Sequence, residues 1–133
     1  MSCARLDHVS LGAPEPAAVI DFYDAVLGAL GLVRLDELVD EEEDDAAVEA
    51  AAWGPADGRA FLWVVTAPTP TTGLHVRLRA QDSAQVELVH RLAVRHGGRS
   101  HSAPRRWTLY RRGEFGTSVL DPLANIVEVV APE

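Results

Sequence analysis

The 133-residue chain predicts an α+β fold of two βαβββ modules in tandem, each sheet carrying its helix on one face and leaving the other free to curl around a cavity. Three observations carry this reading. A shift of 67 positions aligns His8-Val9-x-Leu11-x-Ala13 with His75-Val76-x-Leu78-x-Ala80, and then Ala17 with Ala84, Val19 with Val86 and Gly31 with Gly98. Each copy passes from a period of two to a helical period. Three short strand-like runs follow each helical stretch.

In the first copy, alternating residues around His8 and Leu11 open a strand. Pro16 suits the first turn of the helix that follows, since its missing N–H has no partner to lose there. Val19, Phe22, Tyr23, Val26, Leu27 and Leu30 give that helix its apolar stripe, and Gly28 and Gly31 end it. Strands are then expected over Leu32–Val39, Ala46–Trp53 and Ala60–Thr66. Residues 67–72, rich in proline, cannot continue a central strand and form a linker. The expected organisation is one domain, 1–133, with modules at 1–66 and 73–133.

In the second copy Leu74, Val76, Leu78 and Ala80 form one strand face, and His75, Arg77 and Arg79 the other. Asp82 or Ser83 caps the next helix, Val86, Val89 and Ala93 form its stripe, and Gly97-Gly98 stops it. The closing strands are expected at Trp107–Arg111, Phe115–Leu120 and Ile126–Val130.

Composition narrows the function classes. A net charge of −8 argues against nucleic acid or an anionic membrane as partner. No apolar run approaches a membrane span, and the first residues lack a secretory pattern. The lone Cys3 allows no internal disulfide and lacks a basic neighbour pattern that would make it a nucleophile. A cytoplasmic domain is expected. The charge is lopsided: residues 1–66 carry 14 acids against 3 arginines, and residues 67–133 carry 6 acids against 9. Eight acids fall within 36–45, a density that reads as a solvated turn or strand end without the spacing of a calcium loop.

Four motifs point to a family. They are Leu6-Asp7-His8-Val9-Ser10-Leu11, Asp21-Phe22-Tyr23-Asp24-Ala25-Val26-Leu27-Gly28, Gly73-Leu74-His75-Val76, and Asp121-Pro122-Leu123-Ala124-Asn125-Ile126-Val127-Glu128. With them the chain resembles the vicinal oxygen chelate superfamily, which includes glyoxalase I, extradiol dioxygenases, and fosfomycin- and bleomycin-resistance proteins. The resemblance implies a curved, U-shaped mixed sheet around a cavity with helices on its outer face, and a homodimer.

It also implies a divalent metal held by His8, His75 and Glu128. Two imidazoles and a carboxylate suit Fe, and also serve Mn, Ni, Co or Zn while leaving positions open for substrate oxygens. The family's fourth ligand position falls on Phe61 or Trp63, depending on register. Neither binds a metal, which argues against an authentic glyoxalase I. Trp63 and Ser10 are similar to pocket residues of the fosfomycin branch, but Ser118-Val119-Leu120 stands where that branch carries a tyrosine before the Asp-Pro.

Arg77 and Arg79 share a strand face with His75 and could hold an anionic group, or pair with internal acids. Trp107, Tyr110 and Phe115 fall where relatives close the pocket with aromatics, and Tyr110 could donate a proton to a metal-bound oxygen or simply pack and cap the opening. His90, His96 and His101 belong to the helix surface and the loop after it. Arg105-Arg106 and Arg111-Arg112 read as a solvated hairpin, or as a basic lip around the opening.

Two functions follow. The first is a small metal-dependent enzyme with Glu128 and Tyr110 in catalysis, acting on a small oxygen-bearing, possibly anionic, substrate. The alternative is a non-catalytic binder of a drug or metabolite, like the bleomycin-resistance proteins.

Overall fold

Both expected apolar stripes become helices. α1 (Pro16–Ala29) starts on its proline and buries Val19, Ile20, Phe22, Tyr23, Val26 and Leu27. Gly31, in the left-handed region at φ 81°, turns the chain away after it. α2 (Ser83–Arg95) buries Val86, Val89 and Ala93, and the Asp82 side chain caps it by accepting the backbone N–H of Gln85 at 2.9 Å. These elements belong to a computed structural model that describes residues 2–40, 48–107 and 113–132.

The first module supplies β1 (Val9–Ala13), β2 (Val33–Val39), β3 (Val48–Gly54) and β4 (Leu62–Thr66). The second supplies β5 (His75–Arg79), β6 (Arg99–Trp107), β7 (Glu114–Leu120) and β8 (Ile126–Pro132). Their sheets have the same order, β1-β4-β3-β2 and β5-β8-β7-β6, with one parallel pair each, β1 with β4 and β5 with β8. The internal repeat is thus a repeat of topology.

Two expectations are corrected. The sheet is not a single U curved around a cavity, with helices outside. There are two separate four-stranded sheets, and no strand of one is paired with a strand of the other. The helices pack on each other, and each also covers the sheet of its own module. Apolar side chains from both modules therefore form one cluster, from Leu11, Phe22 and Trp53 to Val86, Val119 and Val129. The physical reason is that each helix has apolar surface for two partners, so the helices rather than strand edges join the halves. Open surface hollows lie elsewhere, over Arg34–Glu37 of β2 and around His90, Arg91, Val94 and Arg95 of α2.

The second correction concerns the stretch around His101, read as a loop and found in β6 (Arg99–Trp107); of the strand expected at Trp107–Arg111, only Trp107 lies among the described residues. β6 is an edge strand with two irregularities against β7 and is largely exposed, so no apolar alternation marks it and Pro104 is tolerated. The acidic run 36–45 lies partly outside the described residues; Asp36 and Glu37 are exposed on β2.

The Asp121–Asn125 turn fastens the modules together. Asp121 Oδ1 accepts the backbone N–H groups of Leu123 and Asn125 at 2.8 and 2.9 Å. Its Oδ2 accepts the Tyr23 hydroxyl of α1 at 2.6 Å and Asn125 Nδ2 at 3.0 Å. Asn125 in turn accepts the N–H of Leu74 and donates to the Thr71 carbonyl, both at 2.9 Å, tying down the linker and the start of β5. The Asp-Pro…Asn motif is therefore a structural clasp. Among the described residues no helix is long and apolar enough to cross a membrane.

Candidate functional site

Because each helix covers one face of its sheet, the other face is left uncovered, and side chains alternate between the two. On the second sheet Val76, Leu78, Val127, Val129 and Val119 point to the core side. Cross-strand partners then assign the open face: Arg77, Glu128, Ser118 and Ser102 stand in one row, and Arg79, Val130, Gly116 and Arg105 in the next. Trp107 and Glu114 follow in the third.

Charge on this face is tightly paired. Arg77 Nη2 donates to Glu114 Oε2 at 2.6 Å and its Nε lies 3.0 Å from Glu128 Oε1. His75 Nε2 is 2.9 Å from the other oxygen, Glu128 Oε2. Glu114 and Glu128 are only 6 % and 8 % exposed, so two buried carboxylates share one guanidinium. Arg77 is accordingly bound to internal acids rather than held free for a ligand. His101, expected in a loop, lies on β6 with Nδ1 2.8 Å from the Ser118 hydroxyl.

The open face of the first sheet has a different chemistry. Ser10 pairs with Trp63 in the register that pairs Arg77 with Glu128. Trp63 therefore holds the place in the first module that Glu128 holds in the second, which settles the register question against Phe61. Ala52 and Ala50 lie beside Trp63 and Val65 on the neighbouring strand, so the positions next to the indole carry small residues. Phe61 and Phe115 pack against the core instead.

The expected metal centre is not formed. Of its three residues only His75 and Glu128 meet. His8 is engaged elsewhere: Nδ1 is 2.7 Å from Asp7 Oδ2 and its ring centroid is 6.3 Å from that of Trp63. The His8 bond, and then the Arg59 guanidinium, hold the Asp7 carboxyl below its ordinary range. Among the described residues no three His, Cys, Asp or Glu side chains stand together to hold a metal. The donor set thus does not fit Fe, Mn, Ni, Co or Zn. The divalent cofactor and the metal-dependent enzyme built on it are both corrected. The reason is the helix-to-helix join, which leaves the two first-strand histidines on different sheets. Tyr110, a candidate proton donor, lies outside the described residues.

Trp107 closes one end of the second face. A Cβ added to Gly116 would stand 3.5 Å from Trp107 Cε2 and 2.9 Å from Val130 Cγ1, so the indole lies against this glycine. The indole Nε1 is buried and has no hydrogen-bond partner among the described residues. The Arg105 guanidinium is 6.0 Å from the Trp107 ring centroid. The sequence reading missed Glu114, His101 and Ser118. Glu114 was legible by extending the period of two back from Ser118 and Gly116, whereas the irregular pairing of β6 hid His101.

A family model described as "Glyoxalase/Bleomycin resistance protein/Dioxygenase superfamily" matches residues 5–129. No curated protein matches. Among solved structures, the chain is similar to a glyoxalase/bleomycin resistance protein from Albidiferax ferrireducens T118 (TM-score 0.73, 19% identity, covering 94% of this chain and 97% of that one). A putative glyoxalase from Bacillus halodurans gives 0.67 at 22% identity, covering 96% and 95%. TnmS3, an antibiotic binding protein from Streptomyces sp. CB03234, gives 0.64 at 17% identity, covering 100% and 99%. At these identities the likeness shows the fold alone.

Proposed function

We propose that this chain, which belongs to the glyoxalase/bleomycin resistance protein/dioxygenase superfamily, is a non-catalytic small-molecule-binding protein. The observation that carries the reading is Trp63 in the register position of Glu128, with Ala50 and Ala52 on the neighbouring strand. An indole beside small residues offers a flat apolar platform, which suits a planar ring and not a metal-bound oxygen. A protein of this fold that binds an antibiotic supports the same reading.

The binder acts as a cytoplasmic homodimer. Its first half is strongly acidic and its second half basic, so the acidic module of one copy complements the basic module of another. The open face of either sheet gains a second wall in such a pair.

The test is titration with a panel of planar peptide antibiotics, followed by tryptophan fluorescence, on wild type and Trp63→Ala. The expected result is saturable quenching by at least one compound and an affinity loss of about tenfold or more in the variant. Wild-type affinity in Trp63→Ala, or quenching by none of the panel, overturns the reading. Sedimentation at twice the 14.4 kDa chain mass is the outcome expected for the dimer.

A further inference from the structure

We infer that the open face of the second sheet recognises an oxyanion (a carboxylate on a flat organic body) through Arg79, Arg105 and the Trp107 indole N–H. The inference rests on the small-molecule-binding reading and adds the chemical class of the ligand.

Its basis is a contrast between arginines on one surface. Arg77 is neutralised by Glu114 and Glu128. Arg79 and Arg105 have no carboxylate partner among the described residues, and both are exposed. They occupy the two ends of one cross-strand row, with Val130 and Gly116 between them. Three strand spacings separate their backbones, about 14 Å, and long side chains at both ends can lean over the middle two strands. Those middle residues are an apolar valine and a glycine, so the floor between the guanidiniums carries no competing acid.

The Trp107 indole lies against Gly116 through Cε2, the ring atom bonded to Nε1. The buried Nε1, bonded to that atom, therefore lies close to Gly116, in the row whose ends are the two arginines. A buried indole N–H ordinarily finds an acceptor, and leaving one unmet costs on the order of 1–3 kcal/mol. Among the described residues, two guanidiniums without a carboxylate and one N–H without an acceptor form a set of donors lacking an anion. A carboxylate supplies acceptors for all three, with the bidentate geometry that guanidinium favours. The half-buried Trp107 gives the attached ring an apolar seat.

The probes are 2-naphthoate and its uncharged analogue 2-naphthamide, titrated into the full chain by calorimetry. The indole N–H resonances of the three tryptophans are read by NMR and assigned through Trp107→Phe. Naphthoate is expected to bind about tenfold more tightly than naphthamide and to move the Trp107 resonance. Arg79→Gln and Arg105→Gln, both exposed positions, should each remove most of that preference, weakening naphthoate far more than naphthamide. Trp107→Phe removes the N–H and trims the apolar seat, and should weaken naphthoate more than naphthamide. Equal binding of both probes, or a preference that survives Arg79→Gln with Arg105→Gln, overturns the oxyanion site while leaving a binding protein. If neither probe binds, the oxyanion site is overturned and the antibiotic titration judges the broader reading separately.

Discussion

Tyr23 places a phenol inside the core so that its hydroxyl can reach Asp121 across the module boundary. Burial, and then the Asp121 carboxylate, push the phenol above its ordinary value of 10.0. Its folded pKa is thus the higher one. The stabilising effect is whole below about pH 10 and is lost as pH rises beyond it, because the unfolded chain releases a proton that the fold retains. Tyr23→Phe should cost about 1 kcal/mol at neutral pH and flatten the alkaline decline, measured by urea unfolding at pH 8 and 10.5. Arg77→Met strands Glu114 and Glu128 without their shared cation. The guanidinium is partly solvated, so the loss expected in urea unfolding is about 1–2 kcal/mol. The Tyr23 role was not legible beforehand, and pairing with internal acids was one of two readings open for Arg77. The sequence placed Arg77 and Glu128 on strands, but it could not say that they stand directly opposite each other.

At the scale of elements the helices were legible almost to the residue, because caps and stripes are local physics. Asp82→Ala removes the α2 cap and should cost about 1 kcal/mol, seen as a fall of about 3–5 °C in Tm. Gly28 lies in the last part of α1, and an added Cβ meets nothing within 4 Å. Gly28→Ala should therefore stabilise by about 0.5–1 kcal/mol in the same thermal melt. The strands were less legible. The shift of 67 that aligns the first strands does not carry through to the last ones, where Trp63 and Glu128 correspond. The stretch between the first and last strands is two residues longer in the first module, which keeps the face of the last strand but moves the matching position from Phe61 to Trp63. β6 was hidden for another reason: an edge strand exposed to solvent needs no apolar alternation.

For the whole molecule, the family and the two-module plan were legible from the repeat and the motifs. The mutual placement of the modules was not. An apolar helix stripe looks the same whether it buries against its own sheet alone or also against a second helix, and only coordinates distinguish the two. Gly98 marks that junction: an added Cβ would stand 2.5 Å from Phe22 Cε2, 2.7 Å from the Leu120 carbonyl and 2.9 Å from the Ala93 carbonyl. Two of these neighbours are backbone and cannot swing away. Gly98→Ala should destabilise by about 2–3 kcal/mol, read from the urea midpoint, with the loss concentrated at the boundary between modules.

The pair of helices also acts as an insulator. The Trp63 surface and the Arg79 surface share no side chain, and a packed hydrophobic interior lies between their sheets. Substitutions on the two surfaces should therefore sum in a double-mutant cycle to within about 0.5 kcal/mol. A change of taste on one platform leaves the other as it was, so a single short polypeptide can carry two independently adjustable recognition surfaces.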